Sequence, residues 1–85
     1  MYEVYLERAA ERDLKKLPPT DFRRIIREIS RLKGTPRPSS GCRKITGSKH
    51  DWRIRVGDYR VIYEIDDYAK IIRIMRVRLR EEAYR

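Results

Sequence analysis

Among its 85 residues the chain has one cysteine, one histidine, one phenylalanine and one tryptophan. With Cys42 alone, no disulfide can form within the chain, which fits a reducing cytoplasmic setting. One histidine, one cysteine and no carboxylates at ligand spacing leave a hydrolytic metal centre without donors, so neither a metal nor another cofactor is expected. A serine or cysteine triad would have to use His50 as its base, and no nucleophile motif accompanies it. No glycine-rich loop is present to cradle a nucleotide phosphate. No apolar run approaches the length of a membrane span, and the N-terminus lacks the apolar core of a signal peptide, so no membrane partner is expected. Internal repeats and low-complexity segments are absent too.

Acidic residues are also in short supply. Thirteen Asp and Glu face 22 Lys and Arg, a net charge of +9. An excess of that size points to nucleic acid, an acidic protein or an anionic surface as partner. The length predicts a single domain over 1–85 with a small core. Its apolar residues are periodic, which argues against a disordered basic tail.

Tyr2 to Leu6 alternates apolar and polar and reads as a strand. Ala10, Leu14 and Leu17 have helical spacing, and Pro18-Pro19 stops that helix. A second helix follows, with Thr20 as its N-cap and Asp21 complementing its positive end. Phe22, Ile25, Ile26, Ile29 and Leu32 form its apolar stripe, and Gly34 ends it. Arg23, Arg24, Arg27 and Arg31 read as a solvated helix face or a partner surface. Thr35 to Gly41 is a Pro/Ser/Gly loop, Cys42 to Ile45 a short strand, and Thr46 to Asp51 a loop. Ile71 to Arg78 is the last strand, with apolar residues on both sides, so a central or covered position is expected. Leu79 to Arg85 is a short polar end. Strand, helix, helix, then three or four strands implies an α+β fold: a helical hairpin on one small sheet of antiparallel strands.

The most informative stretch runs from Trp52 to Tyr63. It alternates on both sides of Gly57-Asp58, a two-residue hairpin turn signal. With those residues as the loop, Val56 pairs with Tyr59, Arg55 with Arg60, Ile54 with Val61 and Arg53 with Ile62. One face then carries Trp52, Ile54, Val56, Tyr59, Val61 and Tyr63, a core face. The other carries Arg53, Arg55 and Arg60. Like charges opposite each other destabilise a strand pair, so three guanidiniums aligned this way are set up to receive an anion. Guanidinium forks match phosphate oxygens in pairs and stay charged at any physiological pH. Arg43, Lys44 and Lys49 precede the hairpin, and Arg76 and Arg78 lie on the last strand. These five are candidate RNA contacts. The register of the last strand decides whether Arg73 or Arg76 joins the cationic face.

The chemistry open to such a set is phosphodiester cleavage run by cations. In RNA the ribose 2′-hydroxyl is an internal nucleophile, so the protein need only hold the backbone in line and neutralise charge growing on the phosphorus oxygens.

Three runs then acquire a common meaning: Arg43-Lys44-Ile45-Thr46-Gly47-Ser48, Trp52 to Glu64, and Val77 to Tyr84. Together they resemble the RelE/ParE superfamily of type II toxin–antitoxin toxins, over nearly the whole chain. The resemblance implies a compact sheet carrying two helices. For the RelE branch it implies an endoribonuclease that cuts mRNA in the ribosomal A site, without a metal, leaving a 2′,3′-cyclic phosphate. It also implies a cognate antitoxin as partner, with the ribosome and mRNA. The catalytic positions it carries over are Arg53, Arg55, Arg60, Arg80 and Tyr84. Arg53 and Arg55 stand where some RelE branches have lysine, which suits charge stabilisation better than base catalysis. Leu79 stands where many relatives have a polar residue. The ParE-like branch shares the fold and inhibits DNA gyrase without cutting RNA. A basic nucleic-acid-binding module without toxicity is the third reading.

Overall fold

The computed structural model describes residues 1–47 and 51–79. Its elements are β1 (Glu3–Leu6), α1 (Arg8–Lys15), α2 (Pro19–Arg31), β2 (Cys42–Lys44), β3 (Asp51–Val56), β4 (Tyr59–Asp66) and β5 (Ile71–Leu79). The strands form one sheet in the order β1-β5-β4-β3-β2. β2 through β5 pair antiparallel, as expected, while β1 joins β5 in parallel, so the sheet is mixed. β5 is an interior strand, in keeping with its apolar residues on both sides.

The two helices meet at Pro18-Pro19, but not with the predicted cap. Pro18 is extended (φ −56°, ψ 148°) and Pro19 takes the first helical position. A residue before proline is pushed out of the helical region. Proline at the first position loses only an N–H that had no helical partner. The diproline therefore both ends α1 and begins α2, which leaves Thr20 inside the helix. Asp21 does lie in the first turn. Ile25, Ile29 and Leu32 are buried, whereas Phe22, assigned to the same stripe, is exposed.

The core lies between the helices and one sheet face. Ala10 and Leu14 of α1, with Ile25 and Ile29 of α2, meet Ile54, Val56, Val61, Tyr63, Ile72, Ile74 and Val77. Tyr63 is fully buried. Its hydroxyl donates to the Pro36 carbonyl at 2.8 Å and lies 3.3 Å from Cys42 Sγ. Burial, reinforced by the Cys42 contact, pushes the phenol far above its usual range. The loop after α2 thus closes the part of the core that the short helices do not reach. Arg37 of that loop sits 5.0 Å above the Trp52 ring and pairs with Asp67 at 2.7 Å.

β1 accompanies β5 only as far as Ile74. Past that point the N–H groups along this edge of β5 need another acceptor. α1 supplies one. Asp13 Oδ2 accepts from the Val77 N–H at 2.9 Å and from Arg76 Nε at 2.9 Å, while Oδ1 accepts from Arg76 Nη2 at 3.2 Å. Burial opposes ionisation of Asp13, but those hydrogen bonds outweigh it and hold the carboxyl below its ordinary range.

Candidate functional site

The β3–β4 hairpin has the register the sequence predicts: Val56 faces Tyr59, Arg55 faces Arg60, Ile54 faces Val61 and Arg53 faces Ile62. Gly57 takes φ 59°, the sign that the first position of a II′ turn requires. The neighbouring strands extend the pattern. Arg43 on β2 faces Arg53, Arg76 on β5 faces Ile62, and Arg78 faces Arg60. Residues paired across a ladder share a face, as do residues two apart on a strand. Two adjacent rows therefore cross the sheet away from the helices: Arg43–Arg53–Ile62–Arg76 and Arg55–Arg60–Arg78. Neighbouring strands in each row are about 4.8 Å apart.

The six arginines are not equivalent. Arg60, at the centre, is only 7% exposed. Arg53, Arg76 and Arg78 are half-buried, and Arg43 and Arg55 are exposed. Arg76 is tied to Asp13, which fixes its guanidinium at the sheet edge and neutralises part of its charge. The field of Arg78 also helps to hold Asp13 ionised. The arrangement is a central buried guanidinium ringed by more exposed ones.

Arg73 and Arg76 of β5 both reach this face. The ladder slips between Ile62 and Tyr63, where Ile62 faces Arg76 but Tyr63 faces Ile74. Met75 is the extra residue of a bulge, which resets the alternation. Arg73 thus faces Glu64 on the same side as Arg76. It lies in a different setting, in a row that runs Asp51–Glu64–Arg73–Tyr5. The Tyr5 hydroxyl donates to Glu3 at 2.6 Å, and that bond chiefly raises its phenol.

Of the sequence candidates, Arg43, Arg53, Arg55, Arg60, Arg76 and Arg78 are brought together. Lys44 is not: it faces Trp52, which places it on the opposite side of the sheet. Lys49, Arg80 and Tyr84 lie outside the described residues. Sequence reasoning did not reach Asp13. It is 63 residues from Arg76, and only the sheet topology brings them together. Among the described residues, no three His, Cys, Asp or Glu side chains are grouped as metal ligands. No described helix is long and apolar enough to cross a membrane.

Comparison with known proteins gives a consistent result. Residues 4–84 match the family model described as the ParE toxin of the type II toxin–antitoxin system parDE. A chain named RelE1 from Methanocaldococcus jannaschii is 31% identical over 86 residues, covering 99% of this chain and 96% of the relative. In a crystal structure of the archaeal RelE–RelB complex from Pyrococcus horikoshii, one chain superimposes with a TM-score of 0.83 at 30% identity, covering 93% of this chain and 94% of that one. The RelBE2 toxin–antitoxin complex from Mycobacterium tuberculosis gives 0.80 at 29% identity, covering 93% and 98%.

Proposed function

The chain belongs to the RelE/ParE superfamily of type II toxin–antitoxin toxins, and from that membership we propose that it is a metal-independent endoribonuclease that cuts mRNA on the ribosome and so stops translation. The observation that carries this reading is the double row of arginines with Arg60 buried at its centre.

The reaction needs little from the protein beyond position and charge. The 2′-hydroxyl attacks the adjacent phosphorus and loses its proton. The P–O5′ bond breaks, O5′ gains a proton, and a 2′,3′-cyclic phosphate remains. Arg53, Arg55 and Arg60 grip the scissile phosphate, where negative charge on the non-bridging oxygens grows toward the transition state. Donors already aimed at such charge favour the transition state over the ground state. Arg80 supports the leaving group, and Tyr84 orients the 2′-hydroxyl or stacks on a base. Arg43, Arg76, Arg78 and Lys49 hold flanking phosphates. No arginine serves as general base, because its pKa is too high.

The restraining partner is a cognate antitoxin, supported by the relatives solved as RelE–RelB and RelBE2 complexes. Such a partner covers the domain and screens its positive charge. A second reading, a ParE-like inhibitor of DNA gyrase without nuclease activity, draws support from the family model's description. In vitro translation with the purified protein, followed by mapping of new mRNA ends, separates the two. Cuts within ribosome-bound codons support the nuclease. Intact mRNA together with blocked gyrase supercoiling supports the alternative.

A further inference from the structure

Arg24, Glu28 and Arg31 fall at i, i+4 and i+7 of α2, so they share one stripe of the helix. That stripe forms one wall of a groove of about 460 Å³, with Ser39, Ser40 and Arg55 on the other side. Gly57 also lines it. A Cβ at that glycine would lie 2.9 Å from Arg24 Nη1, so the guanidinium rests against bare backbone at the hairpin turn. Three arginines therefore line a groove whose lining has a single carboxylate residue, Glu28, which Arg31 already holds at 3.3 Å. The two serines add hydroxyl donors. Arg55 belongs both to the groove and to the Arg55–Arg60–Arg78 row. The groove is thus a continuation of the arginine face around the rim of the sheet.

We infer that this groove binds a second stretch of RNA backbone, the phosphates next along the strand from those held on the sheet face. This rests on the nuclease reading above. Arg55 is the link between the two surfaces: a polyanion engaging the sheet face through Arg55 is led directly between Arg24 and Arg31. The path favours one continuous nucleic acid over an acidic protein segment, because a nucleic acid carries a charge at every nucleotide along such a route. Ser39 and Ser40 donate to phosphate oxygens without reading a base, so the groove adds affinity and directs the strand without adding sequence preference.

The test uses the intact protein and two labelled, 2′-deoxy-substituted oligonucleotides that cannot be cut, one of three nucleotides and one of eight. Anisotropy is read across a salt series for wild type, R24A/R31A and E28Q, with thermal melts to check folding. The expected result is that R24A/R31A keeps wild-type affinity for the trimer and loses about tenfold on the octamer. Its log–log salt slope should fall by about 1.4, the value for two single-strand phosphate contacts. E28Q should bind the octamer more tightly than wild type, which a purely structural role for the arginines does not predict. Wild-type octamer binding by R24A/R31A overturns the inference, as does an equal loss on both lengths. It is equally overturned if R24A/R31A lowers affinity for a polyglutamate peptide while leaving octamer binding intact, since the groove then serves an acidic protein. If the trimer fails to bind wild type but octamer binding still depends on Arg24 and Arg31, the groove stands and the sheet-face reading falls.

Discussion

The exposed face of the sheet changes sign along its own strands. Toward the Gly57-Asp58 turn it carries two rows with six arginines and no carboxylate. One row further, the same strands present Asp51, Glu64 and Arg73, and beyond them Glu3, Ile71 and Asp66. Both ends lie over one core, but on β5 the bulge at Met75 separates them and resets the alternation. On β3 and β4 only the residue identities at alternate positions differ. The contrast shows that the cationic patch is placed by composition along β3 and β4 and by a change of backbone shape on β5. On the nuclease reading proposed above, this contrast would favour a strand of phosphates at the hairpin end and repel it at the other.

The strongest way to break the contrast is to remove its centre. Arg60→Ala should lower mRNA cleavage by about 100-fold or more, in line with the loss of one preorganised donor to a developing oxyanion. The check is single-turnover cleavage on programmed ribosomes, with a folding control. Activity within about twofold of wild type would place the chemistry elsewhere, since a single such donor is worth far more than that.

The next test strikes the support beneath the basic end. Asp13→Ala leaves the Val77 N–H and the Arg76 guanidinium without their acceptor, at a cost of about 1.5–3 kcal/mol. Equilibrium urea unfolding at pH 7 measures it. The pH dependence has a definite sign. Asp13 titrates lower in the folded than in the unfolded protein. Its contribution is therefore complete above the unfolded carboxylate value, near about 3.9, and fades as pH falls through the folded one. The gap between wild type and Asp13→Ala should narrow in acid. A gap that stays constant from pH 7 to pH 2.5 would show that the carboxylate's ionisation is not what matters.

Glu64→Lys sharpens the comparison from the other end by extending the basic field one row. Single-stranded RNA should bind several-fold more tightly, and the salt slope should steepen by about 0.7, one added phosphate contact. An unchanged slope would mean that the acidic row does not limit the bound strand. The smallest effect lies at the far turn. Asp67, held by Arg37 and then Tyr2, titrates at about 2. In Arg37→Ala its pKa should rise toward the ordinary value near about 3.9, read by NMR of the carboxyl carbon, with RNA binding nearly unchanged.

Much of this face is legible in the sequence. The hairpin register follows from strict alternation around a two-residue turn, and it places Arg53, Arg55 and Arg60 correctly. Proximity along the chain makes such pairings readable, because a short loop leaves few registers open. β5 is different. Alternation allows Arg73 or Arg76, and a bulge at Met75 admits both. An extra residue leaves no mark on a strand that is apolar on both sides. The Asp13–Arg76 pair is hidden for another reason, since 63 residues separate its members. Thr20 has the chemistry of a cap but falls inside the helix, because Pro18 holds the cap position and Pro19, whose fixed φ suits the first turn, begins the helix. Adjacency groups Lys44 with Arg43, yet neighbours along a strand point to opposite sides.

Met75 is the spare residue of β5. Were the strand to keep it without the bulge, Val77 would turn toward water and two guanidiniums would be driven at the helices. A chain lacking it needs no kink: Ile74 would be followed directly by Arg76, and every side chain beyond would keep its side. Relatives can thus differ in length by one here and still display the same cationic surface. A single gap at this point in an alignment is a change of spelling that leaves the wall of arginines unaltered.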